Sequence, residues 1–453
     1  MPFPDDFVWG CATSSYQIEG AHNTHGRGPS IWDAFCRQPG CVRGGDTGDV
    51  AADHVNRFQE DVGLMRSMGL QAYRFSIAWP RVMPEGTGTV SEVGIGFYDR
   101  LVDELLAAGI TPWATLFHWD LPLSIHHRGG WLNPHIPEWF EAYTHAVVDR
   151  LSDRVAHWLT LNEPQVFIGM GYGRGEHAPG LRLPLADQIR MGHHVLLAHG
   201  RSARVIRERA RSEPKIGWAP VCRVSIPRDR SKDSEAALAH MAESVADPIW
   251  SNSWWSDPVY FGSYPADGLK AYATYLPKGW DTDLELIRQP LDFCAANIYL
   301  GDTVESAEPP GWRVVPHPPG APRSSFGWAI SPEVLYWGPK FLWERYGKPV
   351  VITENGIANP DWVNLEGRVE DPQRINYVTN HLLAFRRAHE DGAAIGGYFL
   401  WSLMDNFEWA EGYHQRFGVI HIDFETLRRT PKESSRFYTK IIQTNGAALP
   451  AVQ

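Results

Sequence analysis

The alternation of short β-prone runs with amphipathic helical stretches predicts an α/β fold, a closed (β/α)8 TIM barrel with long loops at the C-terminal face. Three observations carry that prediction. Eight apolar runs recur along the 453 residues. Helical periodicity separates them. No GxGxxG follows the first run, which disfavours the doubly wound open sheet that the same alternation otherwise allows. No composition shift divides the chain, so 1–453 reads as a single domain.

The first strand is expected in "VWGCAT" (8–13). Over 53–69, Val55, Phe58, Val62, Met65 and Met68 share one helical stripe that Gly69 closes. The second strand is "AYRFSI" (72–77), followed by a helix from Phe97 to Ala108 that ends at Gly109. The series continues with "ITPWATLFHW" (110–119), "VAHWLTLN" (155–162), "KIGWAP" (215–220), "LDFCAANIY" (291–299), "KPVVITEN" (348–355) and "AIGGYFLWS" (394–402). The segment 301–325, rich in Pro and Gly, joins two of these runs and is expected as a long loop on top of the barrel.

At 43 % hydrophobic and 21 % charged residues, the chain has the composition of a globular protein rather than a disordered or fibrous one. Net charge is −11, and no Lys/Arg cluster interleaves with aromatics, which argues against nucleic acid as a partner and does not favour an anionic substrate. No apolar stretch is long enough to cross a bilayer, so no membrane partner is expected. The opening "MPFPDDFVWG" has acids where a secretory signal carries bases, and the expected location is the cytoplasm. Five cysteines without a CxxC fit reduced thiols, and a Cys36–Cys41 disulfide is the weaker reading. The 20 Trp, 16 Tyr and 19 Phe suit a packed core and also sugar faces, and composition does not separate the two.

The ends of the apolar runs carry the chemistry. They finish in Arg74, in His118 and Trp119, in Asn162 and Glu163, in Asn297 and Tyr299, in Glu354 and Asn355, and in Trp401, with Glu408 and Trp409 just beyond. In a barrel such positions converge on one pocket. Two carboxylates, an arginine, a histidine, amides and indoles together suit glycoside hydrolysis, where one carboxyl protonates the leaving oxygen and another attacks the anomeric carbon or activates water. A lone glutamate at a strand end is more often a solvated side chain or a cap, and Arg74 alone more often pairs with a structural acid. Trp401 and Trp409 alone would read as core. His193, His194 and His199 lie in "MGHHVLLAHG", which reads as an amphipathic helix rather than a metal site, and no HExxH occurs.

Six stretches then decide the matter: "TSSYQIEGA" (13–21), "YRFSIAWPR" (73–81), "HWDLP" (118–122), "TLNEP" (160–164), "ITENG" (352–356) and "LWSLMDNFEW" (400–409). In that order, from Phe7 to Tyr438, the chain resembles glycoside hydrolase family 1, the retaining β-glucosidases and their relatives. The resemblance implies Glu163 as general acid/base and Glu354 as nucleophile, with Arg74, Tyr299 and Asn297 supporting the nucleophile. It implies sugar binding by Gln17, His118, Trp119, Asn162, Trp401, Glu408, Trp409 and Phe417, with Trp401 as the stacking floor and Asn162 on the 2-hydroxyl. Gln165, His177 and Trp328 would face the aglycone. The substrate implied is a small β-glycoside or short oligosaccharide, with no cofactor and no metal.

Within the family, members acting on 6-phosphorylated sugars generally lack an acid at Glu408 and supply a lysine nearby; "DNFEWAEGYHQRFG" has the acid and no lysine, so an unphosphorylated substrate is expected. Glutamate rather than glutamine at Glu163 argues for O-glycosides. Gln165 stands where the family commonly has Trp, and Ile298 where it often has Tyr, which leaves leaving-group preference open. A non-catalytic sugar-binding relative would have lost one or both glutamates, and this chain keeps both. Transglycosylation stays compatible, because water and sugar acceptors compete for one intermediate.

Overall fold

The computed structural model describes residues 2–451. At its centre is a closed barrel of eight parallel strands: β1 (Val8–Ala12), β2 (Ala72–Ser76), β3 (Thr111–Phe117), β4 (His157–Asn162), β5 (Lys215–Ala219), β6 (Phe293–Asn297), β7 (Val350–Asn355) and β8 (Ile395–Trp401). Each is one of the expected runs, and each pairs with its neighbours in sequence. The barrel closes between β1 and β8, where Val8 lies opposite Gly397 and Ala12 opposite Trp401. Helices at His54–Ser67, Ile136–Leu151, Leu185–Arg209, Val334–Tyr346 and Pro372–Glu390 pass between successive strands. Among the described residues no helix is long and apolar enough to cross a membrane.

Side chains that alternate inward fill the barrel from base to top. Trp113 on β3 meets Phe293 on β6 (ring centroids 5.2 Å) and Phe399 on β8 (4.8 Å). Ala12, Ala72, Ala219 and Ala295 face them, so large rings from some strands interdigitate with small residues from the others. Two glycines complete the fit: a Cβ on Gly217 would stand 2.2 Å from the Phe293 ring, and one on Gly10 2.5 Å from the Phe399 ring. Along each strand the inward positions then change character. Phe293, Ala295 and Asn297 on β6, like Ala72 and Arg74 on β2, run from apolar filling to polar groups at the upper rim.

Two expectations are corrected. The helix expected from Phe97 begins at Glu92, because Ser91 Oγ accepts the Gly94 N–H and caps it. Gly94, which discourages a helix in the sequence, is there for close approach: a Cβ on it would lie 1.9 Å from the Arg81 carbonyl oxygen. The segment 301–325 is not loop throughout. Gly301–Ser306 and Trp312–Val315 form an antiparallel hairpin around Pro309–Pro310–Gly311, and Val224–Pro227 adds a parallel strand to it. The turn residues suggested loop while the short alternating flanks were strands. Of the three histidines on Leu185–Arg209, His193 bonds Tyr264 and Asp283, His194 the Trp131 carbonyl and His199 the Thr160 hydroxyl.

Phe399 is fully buried and wedged against Trp113, so Phe399→Ala should lower unfolding free energy by about 3–5 kcal/mol. Urea denaturation followed by tryptophan fluorescence measures it, and a loss below about 1 kcal/mol would show that the barrel interior is not packed as described.

Candidate active site

Five strand ends bring the polar groups together at the upper rim. Glu163 follows β4 directly, with its backbone in the left-handed region (φ 46°) and its N–H on the Ala219 carbonyl (2.9 Å). The β4–β5 register shifts between Leu159 and Asn162, and Pro164 then starts a short helix. Trp119 (φ 76°) and Trp409 (φ 50°) also hold left-handed backbones, a conformation that non-glycine residues keep only where the surroundings impose it.

Arg74 is the hub. Its Nη1 donates to Glu354 Oε1 (2.7 Å) and to the Thr353 carbonyl (3.0 Å), Nη2 donates to Asn162 Oδ1 (2.6 Å), and Nε to Thr115 Oγ1 (3.1 Å). The Tyr299 hydroxyl donates to the other oxygen of Glu354, at 2.8 Å. Asn297 connects the two acids: its Nδ2 donates to Glu163 Oε1 (2.8 Å) and Asn162 Oδ1 (2.9 Å), while its Oδ1 accepts from Thr353 Oγ1 (2.7 Å).

These contacts fix the remaining protons. Because Asn162 Oδ1 accepts twice, its Nδ2 is the donor to His118 Nε2 (3.1 Å). Burial and the Arg74 charge push the His118 pKa well down, so the ring is neutral and carries its proton on Nδ1. One amide hydrogen of Asn162 and the Nδ1–H of His118 therefore remain for a ligand.

The two acids differ in surroundings. Burial raises the pKa of both. For Glu163 the charge of Glu354 adds to that rise, and the Asn297 bond and Arg74 oppose it only in part. Glu354 has Arg74, Tyr299 and Asn297 all opposing the rise. With one proton to share, the pair keeps it on Glu163 and leaves Glu354 ionised. Glu408 is raised to about 8, chiefly by burial and then by Glu354, with the Gln17 hydrogen bond pulling the other way.

The other expected residues divide into two groups. Trp401, Trp409 and His118 form one wall, the His118 ring lying 5.9 Å from each indole and nearly parallel to both. Trp328 and Phe326 stack at 4.6 Å, half-buried, beside Tyr299 and Phe417. Several polar ends are instead engaged within the protein. Gln17 Nε2 lies within bonding distance of Asn406 Oδ1, the Phe407 carbonyl and Glu408 Oε2, and its Oε1 accepts from Ser14, so Gln17 braces Glu408. Trp119 Nε1 donates to the Asn162 carbonyl (3.0 Å), and its ring backs Trp409 at 4.4 Å. Gln165, expected to face an aglycone, is buried with both amide ends on the Val221 backbone (2.9 and 3.2 Å). His177 is half-buried against Trp32 and Trp119.

Thr115, Thr353, Tyr16 and Trp32 were not anticipated. The first two orient Arg74 and Asn297, and the second two support Trp409. Thr115 was accessible in principle, since it lies two residues after inward-facing Trp113 on the same strand.

The family model described as Glycosyl hydrolase family 1 matches residues 1–447. A protein named "Beta-glucosidase A" from Thermotoga maritima is 42% identical, over 98% of this chain and 98% of its own length. A "1,4-beta-D-glucan glucohydrolase" from Thermotoga neapolitana is also 42% identical, over 98% and 99%. The solved structure of a "Family 1 b-glucosidase" from Thermotoga maritima superposes with TM-score 0.90 at 41% identity, covering 98% of this chain and 99% of that one. The same protein solved in complex with glucoimidazole gives the same values.

The Glu408 carboxyl titrates near 4.5 when unfolded and near 8 when folded, so folding favours its protonated form and stability declines as pH rises between those values. Glu408→Gln, which replaces the ionisable carboxyl with a neutral amide, should gain stability relative to the parent as pH rises from 5 to 8. Denaturant unfolding at both pH values measures that gain, and a constant difference would mean that Glu408 is ionised throughout.

Proposed function

The chain belongs to glycosyl hydrolase family 1, and from that premise we propose that it is a retaining β-glucosidase acting on unphosphorylated β-D-glucosides and short β-linked gluco-oligosaccharides, with β-galactosides and β-fucosides as side substrates. The observation that carries the reading is a pair of buried carboxyls joined by one hydrogen-bonded network, in which Arg74, Tyr299 and Asn297 oppose the rise of Glu354 while the charge of Glu354 adds to that of Glu163. The names of the relatives point to the same bond type. Glu408, without a lysine in the following stretch, supports a neutral sugar at that end of the site. Five unpaired cysteines support a cytoplasmic location.

In this mechanism Glu354 attacks the anomeric carbon while Glu163 gives its proton to the departing glycosidic oxygen. The product is a glycosyl ester on Glu354, and Glu163 is now a carboxylate. Glu163 then takes a proton from an incoming water, whose oxygen bonds the same carbon from the side the aglycone left, and Glu354 departs as a carboxylate. Two inversions leave the β configuration. Direct capture requires carboxyls roughly 5 to 5.5 Å apart, with no room for a water between them. Asn162, with its spare amide hydrogen, would bond the 2-hydroxyl, a contact that strengthens as positive charge develops on the ring. Trp401 would carry the apolar face of the sugar.

Glu354→Ala should reduce turnover of an aryl β-glucoside by on the order of 10⁴-fold or more, and azide should restore part of it with an α-glycosyl azide as product. Glu163→Ala should keep activity only on glycosides with good leaving groups. Steady-state kinetics on a nitrophenyl and an alkyl β-glucoside decide both points, and near-normal hydrolysis of the alkyl glucoside by either variant would reverse the assignment.

A further inference from the structure

The loops that follow β7 and β8 are joined by a buried chain of charges that the chemistry above does not use. Asp405, fully buried in the loop after β8, accepts at Oδ1 from the Gly418 N–H (3.0 Å) and Lys432 Nζ (2.8 Å), and at Oδ2 from Arg416 Nη1 (2.6 Å) and the Ile422 N–H (3.4 Å). Lys432 donates onward to Asp361 in the loop after β7 (2.5 Å). Arg374 also pairs with Asp361 (2.7 Å) and with Asp371. The same guanidinium donates to the Arg416 carbonyl (2.8 Å), which in addition accepts the Asn359 N–H (3.1 Å). Asp361, Asp371 and Asp405 balance Arg374, Arg416 and Lys432 in charge.

This arrangement contributes position more than stability, because desolvation offsets most of the attraction within buried ion pairs while their hydrogen bonds fix direction. What it positions is specific. Asp405 stands before the segment that carries Glu408, Trp409 and Phe417 and grips the chain at its far end through Arg416, Gly418 and Ile422, and Gly418 is pressed so close that a Cβ there would lie 2.1 Å from the Asp405 nitrogen. Asp361 anchors the other end to the loop leaving Glu354.

We infer that the Asp361–Lys432–Asp405–Arg416 chain is a positioning device that sets the segment carrying Glu408, Trp409 and Phe417 relative to Glu354, and thereby governs recognition of the hydroxymethyl end of the sugar, where Glu408 is expected to act. The inference rests on the β-glycosidase reading of the site. Loosening the chain displaces this segment while Arg74, Tyr299 and Asn297 still hold the two acids, so discrimination falls before the chemistry does.

The test compares wild type, Arg416→Met and Arg416→Lys on an aryl β-glucoside and the matching β-xyloside, which is the same ring without the hydroxymethyl group. Wild type should prefer the glucoside. Arg416→Met should lower that preference roughly tenfold through the KM of the glucoside, leave kcat/KM for the xyloside within about threefold, and be largely rescued by Arg416→Lys. Asp361→Asn, which keeps size and one acceptor oxygen, supplies the same ratio should Arg416→Met not fold. Equal losses on both glycosides, a lowered Tm with the preference intact, or a wild type indifferent between the two sugars would overturn the inference. An inert wild type would overturn the glycosidase reading, and the inference with it.

Discussion

The ion pair between Arg74 and Glu354 is the constraint around which the rest of the site is arranged. A carboxylate taken wholly out of water costs several kcal/mol unless it is paired and hydrogen-bonded, and here each oxygen has its own donor. A planar guanidinium can serve Glu354, the Thr353 carbonyl, Asn162 and Thr115 together, which the compact ammonium of a lysine could not. Because Arg74 also fixes the Asn162 amide, the same residue that keeps Glu354 charged sets the tautomer of His118 two contacts away. Charge, orientation and tautomer are thus one linked choice.

The barrel makes that linkage possible. Its lower interior is closed by rings from β3, β6 and β8, seated in spaces that Gly10 and Gly217 leave open. A rigid base lets residues from β2, β4, β6 and β7 meet at the rim with hydrogen-bond precision although they are far apart in sequence. The left-handed backbones at Trp119, Glu163 and Trp409 are held at that rim, where several strands determine each one.

Much of this was legible in the sequence, for identifiable reasons. All eight strands announced themselves as apolar runs, since parallel strands buried on both faces need no polar alternation. Glu163 and Glu354 stood out because each ends such a run. What could not be read was where polar groups point once the chain closes. Gln17 lies in a recognised motif and Gln165 directly after one, and only the folded chain reveals that the first braces Glu408 and the second holds Val221. Asp361 and Lys432 lie in stretches with the composition of solvated loop, and the burial of their side chains arises from two loops folding over each other. Glu92 and the 301–315 hairpin were misjudged because glycine and proline there serve close contacts and a tight turn rather than open loop.

The clamp between Gln165 and Val221 bears on redesign of the segment that follows Glu163. An engineer wishing to install the indole that relatives commonly carry after the NEP motif would be exchanging more than one surface for another. Removing the amide leaves a peptide N–H and a carbonyl of the half-buried segment after β5 without their partners at once. Grafted tryptophan at this point would need a compensating change near Val221, which makes the two positions a single unit for any library that varies this segment.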